Sequence, residues 1–394
     1  MGSSGFSLFS VDFWAGPRPP SVPLLYKLLP DSNSWRALGQ LVVSIGSWLT
    51  LAGVVAWCVR TPALRWVSAG LVLLLSLSVW VTQWDPLILS ESLSLSLGAL
   101  TLAAWLALAR APGGWTVAAV LAASLAWVFA RDTNAYLVLM AVPLALGWAL
   151  LRRPRGLAAV LAAGLVAIFA MDLVSQAGPH ASFARWEQPI LNVIGERVLT
   201  NPEELDYFRD RGMPLPRKVR ALTGQPLGHP LSDDPSPKLL PFRDWVRDDG
   251  RTTLAGWLAS HPHRAVRPVV ADRYMLFDPD PWLRFFRPRG NVELLPSPLQ
   301  RVVFPPWPPA LVVWALAALA AAVWLARRGH ARATWLVPSA AVLFQIPHAA
   351  IVWNGDSVDV ARHALLVGVL ARLGLLVLTL FLVDAALERR ASAK

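Results

Sequence analysis

"DPLILSESLSLSLGALTLAAWLALAR", Asp85 to Arg110, decides the fold. Ser90, Ser92, Ser94 and Ser96 alternate with larger residues, and read alone that alternation describes a strand. The apolar run that follows is too long for a strand, so a helix is the better reading, with its serines bonding back to the backbone. About 20 such residues cross the roughly 30 Å hydrocarbon core of a bilayer. Glu91 then stands in the first turns of a membrane span. One reading makes it an interfacial acid held by the positive end of the helix dipole. The other has it face a wet cavity inside a helical bundle, where ionisable groups at membrane depth usually point. The expectation taken forward is the cavity.

The whole chain agrees with a membrane setting. Hydrophobic residues make up 55% and charged residues 15% of its 394 positions. The mean hydropathy is +0.47, and such values exclude an ordinary soluble enzyme. The net charge of +11 does not form one patch that would fit nucleic acid. Cys58 is the only cysteine, which excludes an internal disulfide and a cysteine-based metal site. The N-terminal "MGSSGFSLFSVDFW" has neither the basic-then-apolar order of a signal peptide nor, with Phe6 at the sixth position, a full myristoylation pattern.

Apolar segments are expected to span near 39–59, 65–83, 88–109, 115–130, 134–151, 157–174, 308–327, 333–353 and 363–385. The predicted fold is therefore an all-α polytopic membrane bundle. The polar 175–307 segment is expected to fold as a mixed, mainly helical extracytoplasmic loop domain. It has a helix signature in "NPEELDYFRDRG" and little two-residue alternation, so no large sheet is expected. Arginines mark alternate turns: Arg60 and Arg65, Arg110, Arg152 to Arg155, Arg327 to Arg332, and Arg389 and Arg390. These turns are assigned to the cytoplasmic face of the plasma membrane, with the large loop outside. That leaves residues 1–38 as a first outer loop and implies a further helix upstream of Met1. Residues 39–174 and 308–394 make up the membrane part.

Other polar residues fall beside the expected outer turns. Asp85 precedes the quoted helix, and "FARDTNAYLVLM" sets Arg131, Asp132 and Asn134 between two spans. They read either as an ion pair with a helix cap or as a wall of Glu91's cavity. Arg372 lies too deep in the last span for easy snorkelling, so it should face protein or water. His348, Asp356, Asp359, Arg362 and His363 gather around the last outer turn, as loop polarity or as phosphate ligands. Asp278 and Asp280 in "FDPDPW" have a DxD spacing, and the flanking prolines favour a turn over a metal site. No phosphate-binding loop, HExxH or nucleophile elbow is present.

Three stretches carry a family resemblance. "DFWAGPRPPSVPLLYKLL" (Asp12–Leu29) is similar to the first outer loop of the glycosyltransferase family 39 group within the GT-C superfamily. "LILSESLSLSL" resembles that group's stretch around its second acid, which falls on Glu91. "NGDSVDVARHALLVGVLARLGLLVL" is similar to the final outer turn and helix of its bacterial members. The group includes protein O-mannosyltransferases and the lipid A aminoarabinose transferase. Its members carry an acidic base after their first helix, upstream of the "DFWAG"-like stretch, and here Asp12 is the only nearby substitute.

The resemblance implies a membrane hexosyl- or pentosyltransferase that uses a polyprenyl-phosphate sugar donor and an extracytoplasmic glycan, lipid or protein acceptor. On that expectation Glu91 and Asp12 are the acidic pair. Arg362, His363 and Arg372 lie near the phosphate, and Asp85, Arg131, Asp132 and His348 line the site. A divalent cation between carboxylate and phosphate fits the chemistry but is not implied by ligand spacing. The rival readings are a transporter or flippase of lipid-linked sugars and a catalytically inactive membrane relative.

Overall fold

The computed structural model describes residues 19–151, 155–177, 185–232, 234, 236–277, 293–330 and 332–392. No strand occurs among them. The first half runs α1 (Ser21–Lys27), α2 (Asn33–Cys58), α3 (Pro62–Ser76), α4 (Val79–Thr82), α5 (Ser90–Arg110), α6 (Gly114–Val128), α7 (Asn134–Leu151) and α8 (Arg155–Ala177). Ser32 starts α2 by accepting the Trp35 amide at 3.3 Å, and Pro62 opens α3 where no amide partner is needed.

Among the described residues six helices are long and apolar enough to cross a membrane: Asn33–Cys58, Ser90–Arg110, Arg155–Gln176, Pro308–Gly329, Ala333–Gly355 and Val360–Ala391. The other expected spans are helices too, but shorter: Pro62–Ser76, Gly114–Val128 and Asn134–Trp148. At about 1.5 Å per residue, a 15-residue helix such as α3 reaches only about 22 Å. The expected 65–83 span is cut at Leu77–Ser78, after which α4 starts a separate turn. The 333–353 span is likewise two helices, Ala333–Leu343 and Gln345–Gly355, meeting at Phe344. Pro347 has no amide to give the Leu343 carbonyl, which accounts for the break.

The elements pack so that α5 and the last helix lie inside the bundle. In α5 78% of its most apolar window is buried, and in Val360–Ala391 83%, against 17% for Pro308–Gly329. The latter leaves Val312, Val313, Leu316 and Val323 exposed, as a lipid-facing surface would. α5 packs on α2 and α6, and the last helix (Leu365–Ser392) packs on Ala333–Leu343 and reaches α5.

The two ends of the bundle differ. At one end Asp384, wholly buried, accepts the amides of Arg60 and Thr61 and, at 2.7 Å, the Arg332 guanidinium. Glu388 adds ion pairs to Arg332 and Arg60. Arginine-bearing turns far apart in sequence are thereby tied together. At the other end sits the polar segment, built from short helices around a separate apolar core that includes Ile190, Phe208, Phe242, Trp245 and Trp257. Gly195 is required there, because an added Cβ would stand 2.1 Å from the Gln225 carbonyl oxygen.

Candidate functional site

The start of α5 is fixed by a chain of hydrogen bonds. Tyr26 on α1 donates to Gln40 Oε1 at 2.8 Å. Gln40 Nε2 donates to the carbonyls of Asp85 and Leu87, which holds the turn leading into Ser90. Ser92 donates to Asp85 Oδ1 at 2.6 Å, and Ser96 bonds back to the Ser92 carbonyl. Ser94 takes a bond from Asn134 Nδ2 at 3.0 Å on its hydroxyl and one from the Trp127 indole on its carbonyl. Gly98 makes room for that indole, since a Cβ there would meet Trp127 Nε1 at 3.2 Å. The alternating serines therefore bind helix to helix and helix to loop.

Glu91 is 1% exposed. Its Oε1 accepts Arg362 Nη1 at 3.0 Å and lies 3.7 Å from Arg131 Nη1. Its Oε2 is buried without a hydrogen-bond partner. Two guanidinium groups from separate turns thus face one carboxylate. An ion pair of this kind contributes little net stability, because desolvation of the charges offsets their attraction. Burial lowers the Arg131 pKa, with Glu91 opposing that shift. Arg362 also meets a second carboxylate, Asp359, so the two guanidiniums are shared between two acids.

The last turn supplies the rest. His363 Nε2 lies 3.4 Å from Arg362 Nη2, and its Nδ1 lies 3.8 Å from Asp356 Oδ2. Asp356 Oδ1 accepts Asn192 Nδ2 at 3.2 Å and the Val358 amide at 3.1 Å. Burial pushes the Asp356 carboxyl up, and these bonds pull it back. Asp359, just before Arg362, has a left-handed backbone (φ 53°) and lies 3.5 Å from Arg362 Nε. Arg197 stacks 3.6 Å over the Trp353 ring and donates to the Trp353 and Asp356 carbonyls. Its guanidinium is lowered to about 10 by burial. Asn192 and Arg197 belong to the polar segment, so that segment clamps the turn carrying Arg362 and His363.

An apolar groove of about 80 Å³ lies farther along α5 from this cluster, lined by Thr101, Trp105, Leu137, Phe344 and Gln345 among others. Gly98, also on its wall, lies about 10 Å along α5 from Glu91 at about 1.5 Å per residue. Gln345 links groove to cluster: its Oε1 is 3.1 Å from His348 Nδ1. His348 is fully buried, lies within electrostatic reach of Arg131, and keeps Nε2 without a partner.

The structure thus brings together Glu91, Arg131, Arg362 and His363, with His348 behind Arg131. It sets three expected residues apart. Asp85 belongs to the Gln40–Ser92 network, where burial raises its carboxyl to about 6. Asp132 takes both arms of Arg185, at 3.0 and 3.1 Å, and Arg185 also donates to Ser175. Arg372 faces protein, as expected, and its partners are carbonyls rather than any residue of the Glu91 cluster. It is fully buried and donates to the carbonyls of Pro305 (2.8 Å), Gly368 (2.9 Å) and Phe277 (2.7 Å), lying over the Phe304 ring. With all three nitrogens on carbonyls, it is a lock between the last helix and the chain entering the membrane part. Asp12, Asp278 and Asp280 lie outside the described residues.

No match emerged from comparison with protein-family models, curated proteins or solved structures. Among the described residues, no group of three or more His, Cys, Asp or Glu is arranged to hold a metal ion. Sequence reasoning missed Asn192, Arg197 and Gln345. Only their partners, distant in the chain, give them a place in the site.

Proposed function

We propose that the protein is a multi-pass plasma-membrane glycosyltransferase of GT-C type, similar to the family 39 group. It would move a sugar from a polyprenyl-phosphate donor to an extracytoplasmic acceptor. The observation that carries this reading is the buried Glu91 carboxylate, with one oxygen on Arg362 and the other bare, and an apolar groove farther along α5. The prenyl tail lies in the groove and the phosphate meets Arg362 and Arg131.

The acceptor hydroxyl oxygen attacks the sugar's anomeric carbon. The bond from that carbon to the phosphate oxygen breaks, and the electron pair leaves with polyprenyl phosphate. Glu91 Oε2 takes the hydroxyl proton, a general-base step typically contributing about 10²–10⁴-fold. Arg362 and Arg131 stabilise charge developing on the leaving phosphate, which lowers the barrier most where water is excluded. Polar contacts already hold both guanidiniums, so little reorganisation is needed.

The experiment is to reconstitute the protein in vesicles with polyprenyl phosphates carrying radiolabelled hexoses or pentoses, and a cell-envelope extract as acceptor. Label passing to the extract, with release of polyprenyl phosphate, supports transfer. Intact donor moved across the bilayer would make the same cluster the head-group site of a transporter. Neither outcome with any donor would place the chain among inactive relatives.

A further inference from the structure

The bundle end opposite Glu91 carries a second charged hollow that the proposed chemistry does not use. It is open, about 420 Å³, and lined by Ala56, Trp57, Pro62, Arg65, Trp66 and Arg110. Its two arginines come from different elements, α3 and the C-terminal end of α5. Arg65 is steered by a bond from its Nε to the Val59 carbonyl at 2.9 Å. Arg110 stands 5.7 Å over the Trp57 ring. Among the described residues neither guanidinium is ion-paired with a carboxylate. This is not for want of acids nearby in the fold. Asp384 and Glu388 bind Arg60 and Arg332 at the same end, which leaves Arg65 and Arg110 facing outward.

The surroundings are those of a membrane surface. Trp66 is 83% exposed and Trp57 47%, and tryptophans collect at the level of lipid head groups. Along α5, Glu91 and Arg110 are roughly 28 Å apart at about 1.5 Å per residue. That separation matches the roughly 30 Å hydrocarbon core, so the hollow lies at the opposite leaflet's surface.

We propose that the Arg65–Arg110 hollow binds the phosphate of an anionic phospholipid, with the Trp57 and Trp66 rings against its glycerol and upper acyl chain. Guanidinium forks suit phosphodiester oxygens, and the open side admits acyl chains that a closed pocket would exclude. The proposal rests on the membrane reading of α2 and α5, not on the chemistry at Glu91.

The test is native mass spectrometry of the full chain released from vesicles containing phosphatidylglycerol and phosphatidylcholine. The wild type should retain phosphatidylglycerol preferentially. Arg65→Gln with Arg110→Gln should weaken that retention about thirtyfold, the effect of removing two basic groups near a membrane surface. Arg65→Lys with Arg110→Lys keeps the charge but not the fork, and should retain more lipid than the Gln pair and less than the wild type. If the double Gln variant does not fold, Arg110→Gln alone should weaken retention about fivefold. Equal retention by the Gln and wild-type proteins would overturn the proposal, as would an equal loss in Arg209→Gln on the polar segment. Displacement of the lipid by millimolar inorganic phosphate would also overturn it, by making the hollow a site for free phosphate.

Discussion

Replacing Arg372 by Met separates a structural lock from a phosphate ligand. The wild-type guanidinium bonds the Pro305 and Phe277 carbonyls at 2.8 and 2.7 Å, and neither carbonyl belongs to the last helix. Hydrogen bonds to charged groups contribute about 1.5–3 kcal/mol each, so losing both costs about 3–6 kcal/mol. Removing a buried charge returns part of that through lower desolvation, and Met over the Phe304 ring returns about 0.3–1.5 kcal/mol. The expected net loss is about 2–4 kcal/mol. Arg372→Lys should restore only part, since an ammonium lacks the planar fork that reaches three carbonyls. The assay is thermal unfolding in detergent followed by tryptophan fluorescence, with binding of a polyprenyl-phosphate sugar measured on the folded fraction. Both variants should unfold earlier and the folded fraction should bind donor normally. Unchanged unfolding with donor binding abolished would refute the lock.

Further outcomes follow from other buried groups. Asp384→Ala strips the acceptor from the Arg60 and Thr61 amides and leaves Arg332 with Glu388 alone, and should cost about 1–3 kcal/mol for the unsatisfied amides, read by the same thermal scan. Gly195→Ala drives a methyl against the Gln225 carbonyl and should destabilise the polar segment by about 2–4 kcal/mol, measured by limited proteolysis around residues 187–260. Burial raises the Glu204 carboxyl from 4.5 to about 7. The folded chain then holds a proton that the unfolded chain gives up, so stability falls as pH rises between those values. Glu204→Gln should flatten that fall, with higher stability at pH 8 and little change at pH 4. An identical pH profile in the variant would show that Glu204 is not the group responsible.

Composition and periodicity made much of the fold legible. Every expected apolar segment is helical, because long runs of Leu, Ala and Val have no other way to satisfy their backbone in lipid. Where helices end was less legible. Helix α3 stops at Leu77, short of the expected end, and Pro347 breaks a segment whose hydropathy alone reads as one span. The depth of Arg372 revealed that it faces protein, but not which carbonyls it meets, since Phe277 and Pro305 lie far from it in sequence. Glu91 was readable as an acid in the wrong solvent. Its partners Arg131 and Arg362 stood in separate turns, and only packing of α5 between α6 and the last helix unites them. For Asn192 and Arg197 no pattern existed to find: each is an ordinary polar residue on a short helix until the Asp356 turn docks against it.

The most direct measurement compares sugar transfer and donor binding in wild type and Glu91→Gln, which keeps shape and one hydrogen-bond acceptor but abolishes the base. The variant is expected to bind the polyprenyl-phosphate sugar about as well as wild type, since Arg131 and Arg362 remain, while its transfer rate falls at least about 100-fold. Transfer at the wild-type rate by folded Glu91→Gln would contradict the account.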